Sequence, residues 1–319
     1  MKEILDNWKQ FIGEEDDKKT DFSFHDIVRK KFKLESPSSD KVWQKIKNRV
    51  ENYDLKKISD AMRSKIYYTF DSTVGGASFI RLVRDSKEIK NVDPKASDEK
   101  ILQYYNDNYL PKIKKILDEL PVVNLASKEA GDMWQSGVEY AAESWANNRN
   151  LGGFFAYDKR FGSLPPFIGI NPYSAVVDPS GIPNIHMIKK VLLEEFAHAV
   201  DLMLEMPFSK ILKSDLLNIT KQQKDTDVEQ EEYYGYLKKP MEIYAKLKVI
   251  KTELMGINKN FFFADDGRIN LQRLRDYLED PRNKDHEIIR ILNIQKIEDI
   301  GKVLNRIARV DQQKNTQIA

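Results

Sequence analysis

The chain has 319 residues, with 52 Lys and Arg against 50 Asp and Glu, 41% apolar residues and no cysteine. That length suits two domains, or one large domain with helical additions, and the composition is that of a globular protein. The two charge signs alternate along nearly every segment, leaving no basic stripe for nucleic acid; no run nears the ~20 apolar residues of a membrane span; and the lack of cysteine excludes disulfides and thiolate metal sites and suits a reducing, cytoplasmic compartment.

Residues 1–20 read as an amphipathic segment and linker: Leu5, Trp8, Phe11 and Ile12 recur at helical spacing, and the charged run from Glu14 to Lys19 follows. Their charge is unlike that of a signal peptide. Residues 21–150 read as a helical domain. Ser39 is placed to cap a helix carrying Val42, Trp43, Ile46 and Val50, and Ser59 another carrying Met62, Ile66 and Tyr67, with Gly75-Gly76 closing the pair. A helical pattern over 97–120 is broken near Pro111, and another covers 127–148.

Residues 151–319 read as a second domain. Five glycines and five prolines fall between 151 and 183, where short strands are expected at 154–157 and 167–171. Asn184 can cap the helix that follows, residues 221–232 read as a polar loop, and Pro240 fits the first turn of a helix running through Met241, Ile243, Tyr244 and Leu247. Helical spacing from 270 to 310 suggests a C-terminal cap. The fold class expected is α+β, mainly α, and no internal repeat is present.

The densest chemistry lies in Glu194-Glu195-Phe196-Ala197-His198-Ala199-Val200-Asp201. Four-residue spacing stacks Glu194 and His198 on one helix face, so a carboxylate oxygen and an imidazole nitrogen can converge on one ion. Glu242 on the later helix offers a third ligand, and Ala245 three residues on permits close helix packing. Asp201, one turn after His198, can accept the other imidazole N–H, and Glu195 is then the base. Two carboxylate ligands would neutralise a dication, weaken its Lewis acidity and raise the pKa of bound water. Zinc is the first candidate, and the oxygen-rich set also admits manganese or iron. In a metal-free site Glu194 and Glu242 would repel, leaving one protonated or turned to solvent. A plain helix whose charged residues face solvent is the competing reading. A di-iron site would need a second Glu-x-x-His pair, which His25, His186 and His286 do not supply.

This segment, with Glu242-Ile243-Tyr244-Ala245, resembles the zincin core of gluzincin peptidases, particularly lethal-factor-like and phage-encoded relatives whose active helix reads His-Glu-Phe-x-His-Ala-x-Asp. Glu194 stands where the first histidine would be. The resemblance implies Glu195 as the water-activating base, Glu194, His198 and Glu242 as metal ligands, residues 167–171 as the strand along the substrate cleft, and a tyrosine hydroxyl, Tyr236 or Tyr234, near the oxyanion. The expected function is that of a degenerate metallopeptidase with weak or absent peptide hydrolysis. The segment from Trp8 to Glu14 is similar to N-terminal targeting segments of internal capsid proteins in large tailed phages, which implies a host-cytoplasmic protein packaged in a virion. On that alternative the chain is a structural protein whose strand 167–171, at a sheet edge, binds a peptide, capsid or scaffold partner.

Overall fold

The computed structural model describes residues 24–72, 74–85, 89, 91–128, 130, 152–157, 165–176, 180–204, 239–262 and 269–281. They form a mainly helical α+β fold with one small mixed sheet. Six helices come first: α1 (Phe24–Lys31), α2 (Asp40–Glu51), α3 (Lys56–Tyr68), α4 (Val74–Asp85), α5 (Asp98–Asn108) and α6 (Leu110–Glu119). Strands β1 (Val122–Asn124), β2 (Gly153–Ala156) and β3 (Phe167–Ile170) follow, then helices α7 (Ile185–Met203), α8 (Pro240–Phe262) and α9 (Leu271–Glu279). The expectations for residues 1–20, for the helix beyond Ala130, for the loop at 221–232, for Tyr234 and Tyr236, and for the tail beyond 281 lie outside the described residues.

Local chemistry sets most of these boundaries. Ser97 caps α5 by accepting from Lys100 N, and the break before Pro111 separates α5 from α6 at Tyr109. Asn184 Oδ1 accepts from His186 N at 2.9 Å and starts α7, while Pro240 opens α8. Two expected caps are not formed. Ser39 already has helical backbone angles at the end of a 3-10 turn, and its hydroxyl bonds Ser36 instead. Ser59 lies inside α3, because Asp54 Oδ1 takes the Lys56 N–H and starts the helix earlier. Gly75-Gly76 begins α4 instead of ending α3: both amides donate to Asp71 O, and a side chain on Gly75 would collide with Phe70 O.

The sheet order is β1-β3-β2, with β1 parallel and β2 antiparallel to β3. Val122 aligns with Ile168, and Gly153 with Ile170. Residues 167–170 are therefore a central strand, not the edge strand expected from the sequence. Its FIGI sequence fits that place, since every residue of it is buried and the period of two sends side chains into two cores. Ile168 and Ile170 join the large core shared with α3 to α9, whereas Phe167 packs with Trp43, Ile46, Phe154 and Tyr173 on the opposite face. Among the described residues β1 and β2 are the two edge strands. The sheet draws β1 from before the composition change at residue 151 and β2 and β3 from after it, so both sides of that change feed the same core.

Helix α7 sits at the centre of this arrangement. Gly152 and Gly153 let it approach β2, since a Cβ on either would press into Val191. On another side the Phe196 ring lies under the Arg63 guanidinium at 5.3 Å, and Arg63 donates to the Asp118 and Leu120 carbonyls at the end of α6. Leu192, Phe196, Ala197, Ala199 and Val200 are wholly enclosed. A helix buried on nearly every side carries its charged residues into the interior, which removes the solvent-facing reading for Glu195, His198 and Asp201.

Candidate metal centre

Helix α7 meets α8, and the contact brings together residues 44 or more positions apart in sequence. Ile243, Ala245 and Leu247 of α8 are fully buried, and Ala245 offers the small surface needed for close approach. Glu194 and His198, four apart on α7, face Glu242 and Lys246, four apart on α8. His198 Nε2 lies 3.2 Å from Glu242 Oε2, with both side chains buried. Lys246 Nζ donates to Glu194 Oε1 at 2.7 Å.

Glu194, His198 and Glu242 each present one ligand atom, all within 4.8 Å of one another, and could hold a metal ion. Bonds of about 2.0–2.1 Å in a tetrahedral site put ligand atoms about 3.3 Å apart. The 3.2 Å between Nε2 and Oε2 matches that edge, and it equally matches an ion pair between imidazolium and carboxylate. The same two side chains can thus share either a proton or a metal.

The electrostatics favour the proton when no ion is bound. Burial by itself would lower the His198 imidazole, but Glu242 beside it, with Glu195 and Glu194, carries it up to about 9. Burial pushes the Glu195 carboxyl up to about 8 against the pull of His198, with Glu194 and Glu242 adding to the rise. Near neutral pH the His198 imidazolium then faces Glu242, Lys246 pairs with Glu194, and Glu195 is mostly protonated. The repulsion expected between Glu194 and Glu242 is relieved because each is paired with a basic side chain of the facing helix. No carboxylate needs to turn away.

Asp201 takes a different role from the expected one. Nδ1 of His198 has no hydrogen-bond partner among the described residues, so Asp201 does not fix that ring. Its charge acts on Lys248 and Tyr244 of α8 instead, and Asp201 is itself 1% exposed. Lys246 is the residue the sequence reading missed. The signal was present, because Lys246 stands four residues after Glu242 just as His198 stands four after Glu194.

Behind the cluster lie two further buried lysines. Lys248 Nζ is 3.3 Å from both the carbonyl and the hydroxyl oxygens of Thr69 and 3.8 Å above the Phe70 ring. Burial lowers it to about 7 despite Asp201, and Lys251 is lowered well below the usual lysine range by burial, then by Lys248 and Arg81.

No family model, curated protein or solved structure matches the chain.

Proposed function

We propose that the chain is a degenerate, zincin-like metallopeptidase: a scaffold that binds a divalent transition metal through Glu194, His198 and Glu242 and hydrolyses peptides weakly or not at all. The observation that carries this reading is the convergence of those three side chains on one spot between α7 and α8. Its support extends to the likeness of residues 194–201 to a gluzincin active helix, and to β2, an antiparallel edge strand packed beside α7. On this reading β2, not β3, borders the substrate cleft.

On this reading the same geometry is a reason for weak or absent hydrolysis. An active site of this class needs a Lewis-acidic ion, an ionised base and ligands held in place. Two carboxylate ligands neutralise the dication and keep its bound water from ionising near neutral pH. Glu195, with its carboxyl up at about 8, is mostly protonated at pH 7 before an ion binds. Among the described residues His198 has no partner for the hydrogen bond that orients a ligating imidazole, and such a loss typically costs about 10–100-fold in metal affinity or activity.

Back-substitution tests the reading. Glu194→His should tighten zinc binding and bring zinc-dependent cleavage of a fluorogenic peptide library above the wild-type level, with Glu195→Gln in that background abolishing it. Unchanged zinc affinity in Glu194→His would count against the ligand assignment.

A further inference from the structure

The i,i+4 pairs on α7 and α8 match in reverse order, so each anion of the cluster has its own cation: Glu242 has His198, and Glu194 has Lys246. Lys246 is the less expected of the two. Its ammonium donates at 2.7 Å to Oε1 of a carboxylate that also belongs to the candidate ligand set, and its side chain is only 11% exposed. An ammonium and a divalent ion on one carboxylate repel each other, more so where the protein displaces water. The long lysine stem, however, can carry its charge out to solvent while the methylenes stay packed.

We propose that Lys246 is a tethered counter-cation that occupies the Glu194 position of the site and sets its metal affinity. Glu194 becomes a ligand only when the ammonium leaves Oε1. The ion that achieves this is a divalent first-row transition metal, because the imidazole nitrogen of His198 favours such ions over magnesium or calcium. The inference rests on Glu194, His198 and Glu242 being the ligand set, and it adds an internal competitor that the ligand set alone does not contain. Ion pairing between Glu194 and Lys246 also gives a physical reason for the carboxylate at position 194: a histidine there would leave Lys246 facing an imidazole in place of an anion.

The experiment is calorimetric titration of the full chain with Zn2+ and, separately, with Mn2+, comparing wild type, Lys246→Met, Lys246→Gln, Lys246→Arg and Glu242→Ala. Circular dichroism melts establish that each variant is folded, and two neutral replacements guard against one that packs badly. Lys246→Met and Lys246→Gln should each tighten binding at least about tenfold, equal to about 1.4 kcal/mol, while Lys246→Arg stays near wild type and Glu242→Ala loses binding. Binding seen only after the lysine is neutralised also supports the proposal, and identifies the ammonium as the sole occupant in the native chain. Unchanged or weaker affinity in both neutral variants, with Glu242→Ala still losing the ion, overturns the role of Lys246 and leaves the metal centre standing. No binding in any variant overturns both.

Discussion

Replacing Glu242 with glutamine removes one charge from the centre of the cluster while keeping the shape of the side chain. In the metal-free protein Glu242 is the strongest influence raising His198, which stands at about 9 against an ordinary 6.5. Because the folded-state value is raised, the stability it contributes is fully present below pH 6.5 and is lost as pH rises through about 9. The rise corresponds to about 3 kcal/mol at roughly 1.4 kcal/mol per pKa unit. The His198 and Glu242 side chains are 7% and 3% exposed, so solvent screens little of this. Glu242→Gln should therefore destabilise the protein by about 2–3 kcal/mol near pH 6, somewhat less than the full amount because the amide oxygen can still accept from the imidazole. The deficit should shrink to under about 1 kcal/mol near pH 9.5, helped by easier ionisation of Glu195 once its negative neighbour is gone. Urea unfolding of wild type and variant in chelator at both pH values measures it. A deficit that is equal at the two pH values, or absent near pH 6, would refute the His198–Glu242 pair as a charged interaction.

Other perturbations probe the frame around the site. Lys248 stands at about 7 against 10.5. Its contribution to stability is present above pH 10.5 and lost as pH falls through about 7, so the stability of wild type relative to Lys248→Met should rise by roughly 1.4 kcal/mol for each pH unit upward across that window, as read by urea unfolding; a parallel pair of pH profiles would contradict it. Phe196→Ala removes a fully buried ring from under Arg63 and should cost about 3–5 kcal/mol in thermal or urea unfolding. Gly153→Val forces a side chain towards Val191 and the Gly169 carbonyl, and should destabilise by about 1–3 kcal/mol while loosening hydrogen-exchange protection in β2 and β3. Wild-type stability there would mean that α7 does not rest on β2 as described.

The helices and their starts were legible where a local signal decides them, as at Ser97, Asn184 and Pro240. Ser39 and Ser59 misled because a capping residue type says nothing of the backbone angles that the preceding turn imposes, and Asp54 had equal claim to start α3. Strand positions were legible in 154–157 and 167–171, but strand order was not, since pairing partners are chosen by contacts far apart in sequence. The FIGI run held a clue: four buried residues in a row suit a strand covered on both faces, and such a strand lies inside the sheet. In the site, helical periodicity puts Glu194 and His198 on one face, whereas Glu242, 44 residues beyond His198, was reached through the likeness to a gluzincin core. Lys246 escaped because a search for ligands passes over cations, although a crowded group of carboxylates calls for one. Asp201 was placed by sequence distance from His198, but its charge acts on Lys248 and Tyr244 of α8.

Metal content by plasma mass spectrometry, on protein purified without chelator and with Glu242→Ala alongside, tests whether Glu194, His198 and Glu242 hold an ion. A first-row divalent ion is expected at up to one equivalent per chain, rising on addition of zinc or manganese and lost in Glu242→Ala. Protein that remains free of metal after such addition, or that holds as much ion in Glu242→Ala as in wild type, would contradict a metal centre at Glu194, His198 and Glu242.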